Sequence, residues 1–227
     1  MGALEFQRLL EIYKIQFLNC DTNIFLHRST FHLVHGIFYC VLGQQKCQWK
    51  TRGLRLNLQH IGGSVFWFGK RGIIWGDFRP TFDRLLGSRP PPDFVLIQLG
   101  SNDLGSGTSV NWIHNIEIDL LRLHMLLPQT KIIWSEILQR RYWHTAISGK
   151  AIEKSRKRVN LAVRNIVSSI QRYAIRHQNI SAKEINSYRN DGTHLSDIGL
   201  RVYLNTIQGA LESFLKTAGP QVFPPTE

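Results

Sequence analysis

The feature that most constrains the fold is an alternation of short apolar runs with amphipathic helical stripes. The clearest run, Phe94 to Leu99, reads FVLIQL and stands between the turn-forming segment 89–93 and Gly100. A near-continuous apolar run, as opposed to strict alternation, is typical of a parallel strand covered on both faces. Further runs of this kind predict strands at 31–38, 64–68, 131–137 and 179–185.

Between these runs, apolar residues recur every three or four positions, which is the spacing of an amphipathic helix. Such stripes begin at Ile113, Val159 and Leu200. Strands that alternate with helices indicate βαβ units. We therefore predict an α/β fold, three-layer α/β/α, with a mostly parallel, flavodoxin-like five-stranded sheet. Its central strands are expected at 31–36, 64–68, 94–99 and 131–137.

The domain boundaries follow from the same pattern. Residues 31–216 contain every predicted strand and helix of the sheet domain. Residues 1–30 are expected to form an N-terminal extension, and residues 217–227 a C-terminal tail. The apolar stretch at 1–18 is interrupted by charged residues, whereas a secretory signal needs an uninterrupted apolar centre, so no such signal is expected.

Composition limits the classes of function. An excess of 28 Lys and Arg over 16 Asp and Glu gives a formal charge of +12, which favours polyanions through non-specific electrostatics. Cys20, Cys40 and Cys47 lack CxxC spacing, so neither a disulfide framework nor a zinc site is expected. No apolar run reaches the ~20 residues of a membrane-spanning helix. We expect a cytoplasmic protein with no metal, no cofactor and no membrane partner.

Polar residues directly after the clearest predicted strand form the first candidate motif, Gly100-Ser101-Asn102-Asp103. In an open α/β sheet, ligands bind beyond the carboxyl ends of the strands. An Asn side chain there offers an NH₂ group that can point at a developing oxyanion. A simple turn is the alternative, because Gly, Ser, Asn and Asp are ordinary turn residues.

The second candidate motif is Asp191-Gly192-Thr193-His194, which precedes the last predicted helix. A general base of this kind needs an imidazole held in one tautomer by a carboxylate. An Asp and a His three residues apart on one turn can direct both side chains toward the same cleft. An Asp turn beside a surface His is the simpler alternative.

In this order and at this separation, the two motifs resemble the SGNH, or GDSL-like, hydrolase superfamily. Its third block is Gly-x-Asn-Asp, matched by Gly100, Asn102 and Asp103, and its last block is Asp-x-x-His, matched by Asp191 and His194. Within the superfamily, the chain looks similar to the esterase-like domains of fish mobile-element-derived proteins. That similarity is carried by segments 67–72, 89–93 and 133–136 and by Trp75.

The resemblance implies a role for each matched residue and a class of substrate. His194 would be the general base, oriented by Asp191, and Asn102 would donate to the oxyanion. Gly72 resembles the glycine of the second block, whose backbone N–H completes the oxyanion hole. The implied substrate is a small acyl or acetyl ester.

The first block of the superfamily places a nucleophilic Ser, in Gly-Asp-Ser or a variant, at the end of strand one. With strand one read at 31–38, Ile37 occupies the nucleophile's place, and its hydrocarbon side chain cannot attack an ester. The nearest hydroxyls, Ser29 and Thr30, would lie at the opposite end of that strand. Two explanations stay open: a degenerate esterase, or a chain whose residues up to about 45 derive from an altered exon or gene model.

A different class of function is suggested by basic residues crowded between 150 and 176. They are Lys150, Lys154, Arg156, Lys157, Arg158, Arg164, Arg172 and Arg176. A basic helix face can hold phosphate backbones without sequence preference and in a salt-sensitive way, although a solvated helix face is the simpler explanation. The predicted function is an SGNH-type esterase impaired by the missing Ser. The alternative is a non-catalytic nucleic-acid-associated or scaffolding domain derived from a mobile element.

Overall fold

The computed structural model describes residues 37–42, 64–69, 72–143, 146, 148–215 and 219–225. For β1 and Ser64 the structure describes the backbone only. The strands are β1 (Ile37–Leu42), β2 (Ser64–Gly69), β3 (Phe94–Gln98), β4 (Lys131–Ser135), β5 (Tyr173–Ile175) and β6 (Val222–Phe223). The helices are α1 (Phe78–Ser88), α2 (Ser109–Leu126), α3 (Gly149–Ser169) and α4 (Asp197–Phe214), with 3₁₀ turns at Trp75–Asp77 and Ile185–Ser187.

These strands form one parallel sheet in the order β2-β1-β3-β4-β5-β6. The predicted α/β class with a mostly parallel, flavodoxin-like sheet is confirmed, but the described sheet has six strands where five were predicted. The prediction that strand 64–68 is central is wrong. Because the chain moves outward from β1 to β2 and then returns past β1 to β3, β2 lies at the edge of the described sheet. At the other edge, β6 pairs with β5, so residues 222–223 of the predicted tail are part of the sheet.

Helices cover both faces of the sheet, which confirms the three-layer arrangement. Successive strand side chains point to opposite faces. Val95 and Ile97 of β3 therefore pack in a cluster with α1, α2 and α3, whereas Phe94 and Leu96 pack with α4 on the other face. All four of these side chains are buried. No helix in the described residues is long and apolar enough to cross a membrane.

The position of β1 differs from its prediction and changes the interpretation of the site. β1 begins at Ile37, which is paired with Ser64, and ends at Leu42, which is paired with Gly69 and Gln98. Ile37 is therefore the first residue of the strand, so assigning it the nucleophile's place at the carboxyl end is wrong. Residues 31–36 lie outside the described residues, as do Ser29 and Thr30.

The prediction of a fifth strand at 179–185 is also wrong. Residues 179–184 are loop and turn, Ile185 begins a 3₁₀ turn, and β5 is the three-residue strand at 173–175. A strand this short carries too few residues to show a period. It is defined by its pairing with β4 on one side and β6 on the other.

Candidate active site

The carboxyl ends of β1, β2 and β3 lie next to one another in the sheet. Leu42 is in register with Gly69 of β2 and with Gln98 of β3. Because the strands are parallel, the carboxyl ends of β1, β2 and β3 lie side by side. Ligands of open α/β sheets bind beyond this carboxyl end of the strands.

The loop after β3 begins at Gly100, a position that only glycine fits. Its φ is +101°, and a Cβ placed there would lie 2.5 Å from the ring of Trp112. L-residues rarely adopt that backbone conformation, and the indole leaves no room for a side chain. The predicted motif therefore starts with a turn that glycine makes possible and that leads directly into Asn102.

Asn102 and Asp103 tie this loop to the one after β2. The Asp103 carboxylate accepts hydrogen bonds from the Trp75 backbone N–H at 2.9 and 3.1 Å. Burial raises the pKa of that carboxyl, while the bond from Trp75 acts in the opposite direction. The Asn102 amide donates to the Ile73 carbonyl at 2.9 Å. Gly72, exposed and with a φ of +71°, directly precedes Ile73, so the structure brings Gly72 and Asn102 close together.

The second predicted motif forms a short hydrogen-bonded unit before α4. Asp191 Oδ2 lies 2.6 Å from His194 Nδ1, and Asp191 Oδ1 accepts from the backbone N–H groups of Thr193 and His194 at 2.8 and 2.9 Å. This pairing places the ring hydrogen on Nδ1 and leaves Nε2 as the basic nitrogen. The two side chains are 38% and 41% exposed, so the imidazole is accessible from solvent.

The environment of Asp191 keeps its carboxyl ionised. Burial tends to raise the pKa, but the hydrogen bonds from His194 and Thr193 outweigh burial and lower the pKa to about 2. An ionised carboxylate can hold the imidazole orientation and stabilise an imidazolium that forms during proton transfer. The Asp191–His194 pair therefore has the geometry and charge of an acid–base unit.

The depressed pKa of Asp191 predicts how an Asp191→Asn variant responds to pH. An unfolded Asp titrates at about 3.9, so the ionised form stabilises the folded protein above that pH. The contribution is lost as the pH falls toward about 2. We expect Asp191→Asn to be less stable than wild type at pH 7, by less than ~1 kcal/mol because the pair is largely exposed. Thermal melts between pH 5 and pH 2.5, the range in which Asp191 takes up its proton, should show the difference shrinking; a difference that grows as the pH falls through that range would contradict the described pairing.

Arg140, in the loop after β4, contacts one predicted motif and is electrostatically coupled to the other. Its Nη2 lies 3.4 Å from Asn102 Oδ1, a long contact, and its guanidinium stands over the Trp143 ring at 4.8 Å. Burial lowers the pKa of Arg140 to about 10, and the Asp191 carboxylate opposes that shift. Arg140 is thus a half-buried cation that contacts Asn102 and whose charge is felt by Asp191. Sequence reasoning missed it, because a single Arg after a strand carries no pattern.

The backbone of the same loop fixes the second motif in place. The N–H groups of Arg141 and Tyr142 donate to the Gly192 carbonyl at 2.8 and 3.2 Å, and the Thr193 hydroxyl donates to the Tyr142 carbonyl. A Cβ on Gly192 would lie 2.2 Å from the Tyr142 ring. The glycine of the second motif is therefore required for this close packing.

The basic residues between 150 and 176 do not share one helix face. α3 ends at Ser169, so Arg172 and Arg176 lie beyond it. Arg156 is buried, pairs with Glu153 and donates to the Ile137 carbonyl at 2.7 Å. The predicted continuous basic helix of 150–176 is therefore corrected to a smaller exposed set on α3. No cluster able to hold a metal ion occurs in the described part of the chain.

Comparison with known proteins supports the fold. No protein-family model matches the chain, and no curated protein matches it. A GDSL-like lipase from Bacteroides thetaiotaomicron is similar in structure, with a TM-score of 0.60 and 16% identity over 80% of this chain and 90% of that one. A lipase/acylhydrolase from Enterococcus faecalis has a TM-score of 0.60 and 16% identity, covering 79% and 97%.

An acetylxylan esterase from Geobacillus stearothermophilus has a TM-score of 0.56 and 14% identity, covering 78% of this chain and 94% of that one. At these identities the likeness concerns the fold alone. The chain has the fold of GDSL-like lipases and acylhydrolases.

Proposed function

We propose that this chain is an SGNH-type esterase domain that binds a small acyl or acetyl ester and hydrolyses it at most slowly. The observation that carries the proposal is the 2.6 Å contact between Asp191 and His194 within the Asp-x-x-His block. The Gly-x-Asn-Asp loop supports it, because that loop is anchored to the loop that holds Gly72. The esterase and lipase names of the similar structures favour the same class of substrate.

In the proposed site, His194 Nε2 removes a proton and Asp191 stabilises the imidazolium. Asn102 and the backbone N–H of Gly72 donate to the oxygen that becomes negative as the ester carbonyl is attacked. An amide NH₂ carries two hydrogens, so the bond from Asn102 to the Ile73 carbonyl is compatible with a second bond to an oxyanion. Arg140 would add a positive charge beside Asn102 and favour that developing charge.

The nucleophile is the missing component. The first block of the superfamily follows strand one, and β1 ends at Leu42. The next residues, Gly43-Gln44-Gln45, have the spacing of Gly-Asp-Ser, with Gln45 where the Ser stands. These residues lie outside the described part of the chain, so the assignment is made from the end of β1 and the sequence. A carboxamide cannot form the acyl intermediate, which leaves attack by water activated by His194.

The experiment that tests the proposal is hydrolysis of a chromogenic acetyl ester by the wild-type chain and by His194→Ala. Removal of a serine nucleophile leaves about 10³–10⁴-fold catalysis over water in such sites. Most of that residual catalysis comes from the oxyanion hole and binding, so we expect a low wild-type rate that falls in His194→Ala by the part that water activated by His194 supplies, and not to background. His114→Ala is the matched control, because His114 is an exposed histidine of α2 and should leave the rate unchanged. Equal loss in both variants, or fast hydrolysis that survives loss of His194, would refute the mechanism.

We also propose that the chain is related to the esterase-like domains of fish mobile-element-derived proteins. It is supported by the sequence segments that carry the resemblance, among them Trp75. The Trp75 indole donates to Asp119 at 2.9 Å, and Arg79 also donates to that carboxylate, so this part of the resemblance serves to hold the loop after β2.

A further inference from the structure

A cavity at the carboxyl end of the sheet is lined by none of the residues of the proposed ester site. Its volume is about 340 Å³, and it lies beyond the ends of β4 and β5, against α3. That volume is at the small end of the range for ligand pockets. Four cationic side chains and one carboxylate line it: Arg156, Lys157, Arg164, Arg176 and Glu136.

Two of these cations form ion pairs with carboxylates, and the other two do not. Arg156 pairs with Glu153 at 2.7 Å, and Arg164 lies 3.0 Å from Glu136. The side chains of Lys157 and Arg176 make no hydrogen bond or close ion pair with the described residues, although the charge of Arg176 does act on Glu136. The cavity therefore presents positive charge that the surrounding protein does not neutralise.

A buried, partly unsatisfied histidine is the independent second observation. His177 lines the cavity and is 9% exposed. Its Nε2 lies 2.8 Å from Ser135 Oγ, while its Nδ1 is buried and has no hydrogen-bond partner. Burial lowers the pKa of His177 to about 3, so the ring is neutral at physiological pH. A buried polar atom without a partner is unfavourable, and because Nδ1 is itself covered, a small turn of the ring toward the cavity is what would give it a partner.

The hydrogen-bond chain allows the unsatisfied nitrogen to be a donor. The Tyr203 hydroxyl lies 3.3 Å from Ser135 Oγ and can donate to it. Ser135 can then give its own hydrogen to His177 Nε2, and the neutral ring carries its hydrogen on Nδ1. His177 lines the same cavity as Lys157 and Arg176, and a donor together with two cations is complementary to an anion with several acceptor oxygens.

We propose that this cavity binds a small phosphate-bearing molecule, whose phosphate is held by Lys157 and Arg176 and, once the His177 ring turns toward the cavity, by the Nδ1–H of that ring. A phosphate dianion matches two uncommitted cations and offers an acceptor to a neutral donor. The volume fits a small molecule. Asn102, Asp191 and His194 do not line this cavity. Evidence against the proposed esterase function would therefore not count against the phosphate site, and the converse holds as well.

The test is a calorimetric titration of the full chain in about 0.15 M salt, where the Debye length is about 8 Å, with inorganic phosphate and, separately, with glycerol 3-phosphate. We expect saturable 1:1 binding and a shift of the His177 Nδ1 signal in long-range ¹H–¹⁵N spectra. Tighter binding of the monoester would identify an organic phosphate as the ligand, and equal binding would identify the free ion. The Lys157→Gln/Arg176→Gln double variant should bind at least about tenfold more weakly, because it loses two charge-assisted contacts.

The matched control is the Lys154→Gln/Arg158→Gln double variant. Both residues are exposed on α3, do not line the cavity, and remove the same charge. This variant should keep phosphate affinity within about twofold, since exposed charges at a distance are screened. Thermal melting of both variants checks folding, and if the cavity variant does not fold, the wild-type His177 signal decides.

Three results would overturn the proposal: no saturable binding, equal weakening in both double variants, or a His177 signal that phosphate does not move. A single-stranded oligonucleotide titrated in parallel separates the remaining possibility. Oligonucleotide binding that both double variants weaken equally, without phosphate saturation, would assign the charge to an exposed nucleic-acid surface.

Discussion

Replacing Gln45 with Ser is expected to raise hydrolysis of an acetyl ester by about 10²-fold or more over the wild-type chain. Loss of the nucleophile in serine hydrolases costs on the order of 10⁶ in kcat, and an imperfectly placed hydroxyl recovers only part of that factor. The new hydroxyl would follow the end of β1 at Leu42, at the edge where the loop that holds Asn102 leaves β3. The measurement is the steady-state rate with a chromogenic acetyl ester, together with acyl-enzyme trapping by mass spectrometry.

Ile37→Ser is the matched control for this gain. Ile37 is the first residue of β1, and five residues of extended strand, roughly 16 Å, separate it from Leu42. A hydroxyl there should give no increase. Adding His194→Ala to Gln45→Ser should remove the gain, because the serine needs its general base.

A folded Gln45→Ser variant without any gain would mean that the first block does not lie at residues 43–45. Ser101, in the loop after β3, and Ser29 would then be the hydroxyls to test. A gain from Ile37→Ser in place of Gln45→Ser would contradict the register of β1.

Substituting Ala for Gly199 is expected to lower the free energy of unfolding by about 2–3 kcal/mol. Gly199 is buried in the first turn of α4, and a Cβ there would lie 2.1 Å from the Ser187 carbonyl oxygen. That carbonyl accepts a hydrogen bond from the Ser196 N–H at 3.0 Å, so the backbone cannot withdraw without breaking it. Urea denaturation measures the change, and because α4 follows the His194 loop, ester hydrolysis should fall as well.

Gly87→Ala is the control for the Gly199 substitution. Gly87 lies in α1, and no heavy atom is within 4 Å of a Cβ placed there. Ala at such a helical position should stabilise the protein by up to about 0.5–1 kcal/mol. If both variants had the same stability as wild type, the close packing of α4 on Ser187 would be refuted.

Much of the fold is determined by local sequence. The run from Phe94 is apolar on both faces and bounded by turn residues, so its identity as a buried strand needs no partner to be recognised. The stripes of α2, α3 and α4 are equally local, because a 3.6-residue period shows in one segment alone. Asn102, Asp191 and His194 are recognisable for the same reason: each block is a few contiguous polar residues beside an apolar element.

Tertiary structure alone decides where β1 ends, and that decides where a nucleophile belongs. Residues 31–42 form one long, mostly apolar stretch in which many windows of six residues could be a strand. Only the pairing of Leu42 with Gly69 and Gln98 fixes the end of the strand. Arg140 likewise has no local signal, because its place beside Asn102 arises from two loops meeting across the sheet edge. Local sequence sets which residues can form an element, whereas register and neighbours are set by contacts distant in the chain.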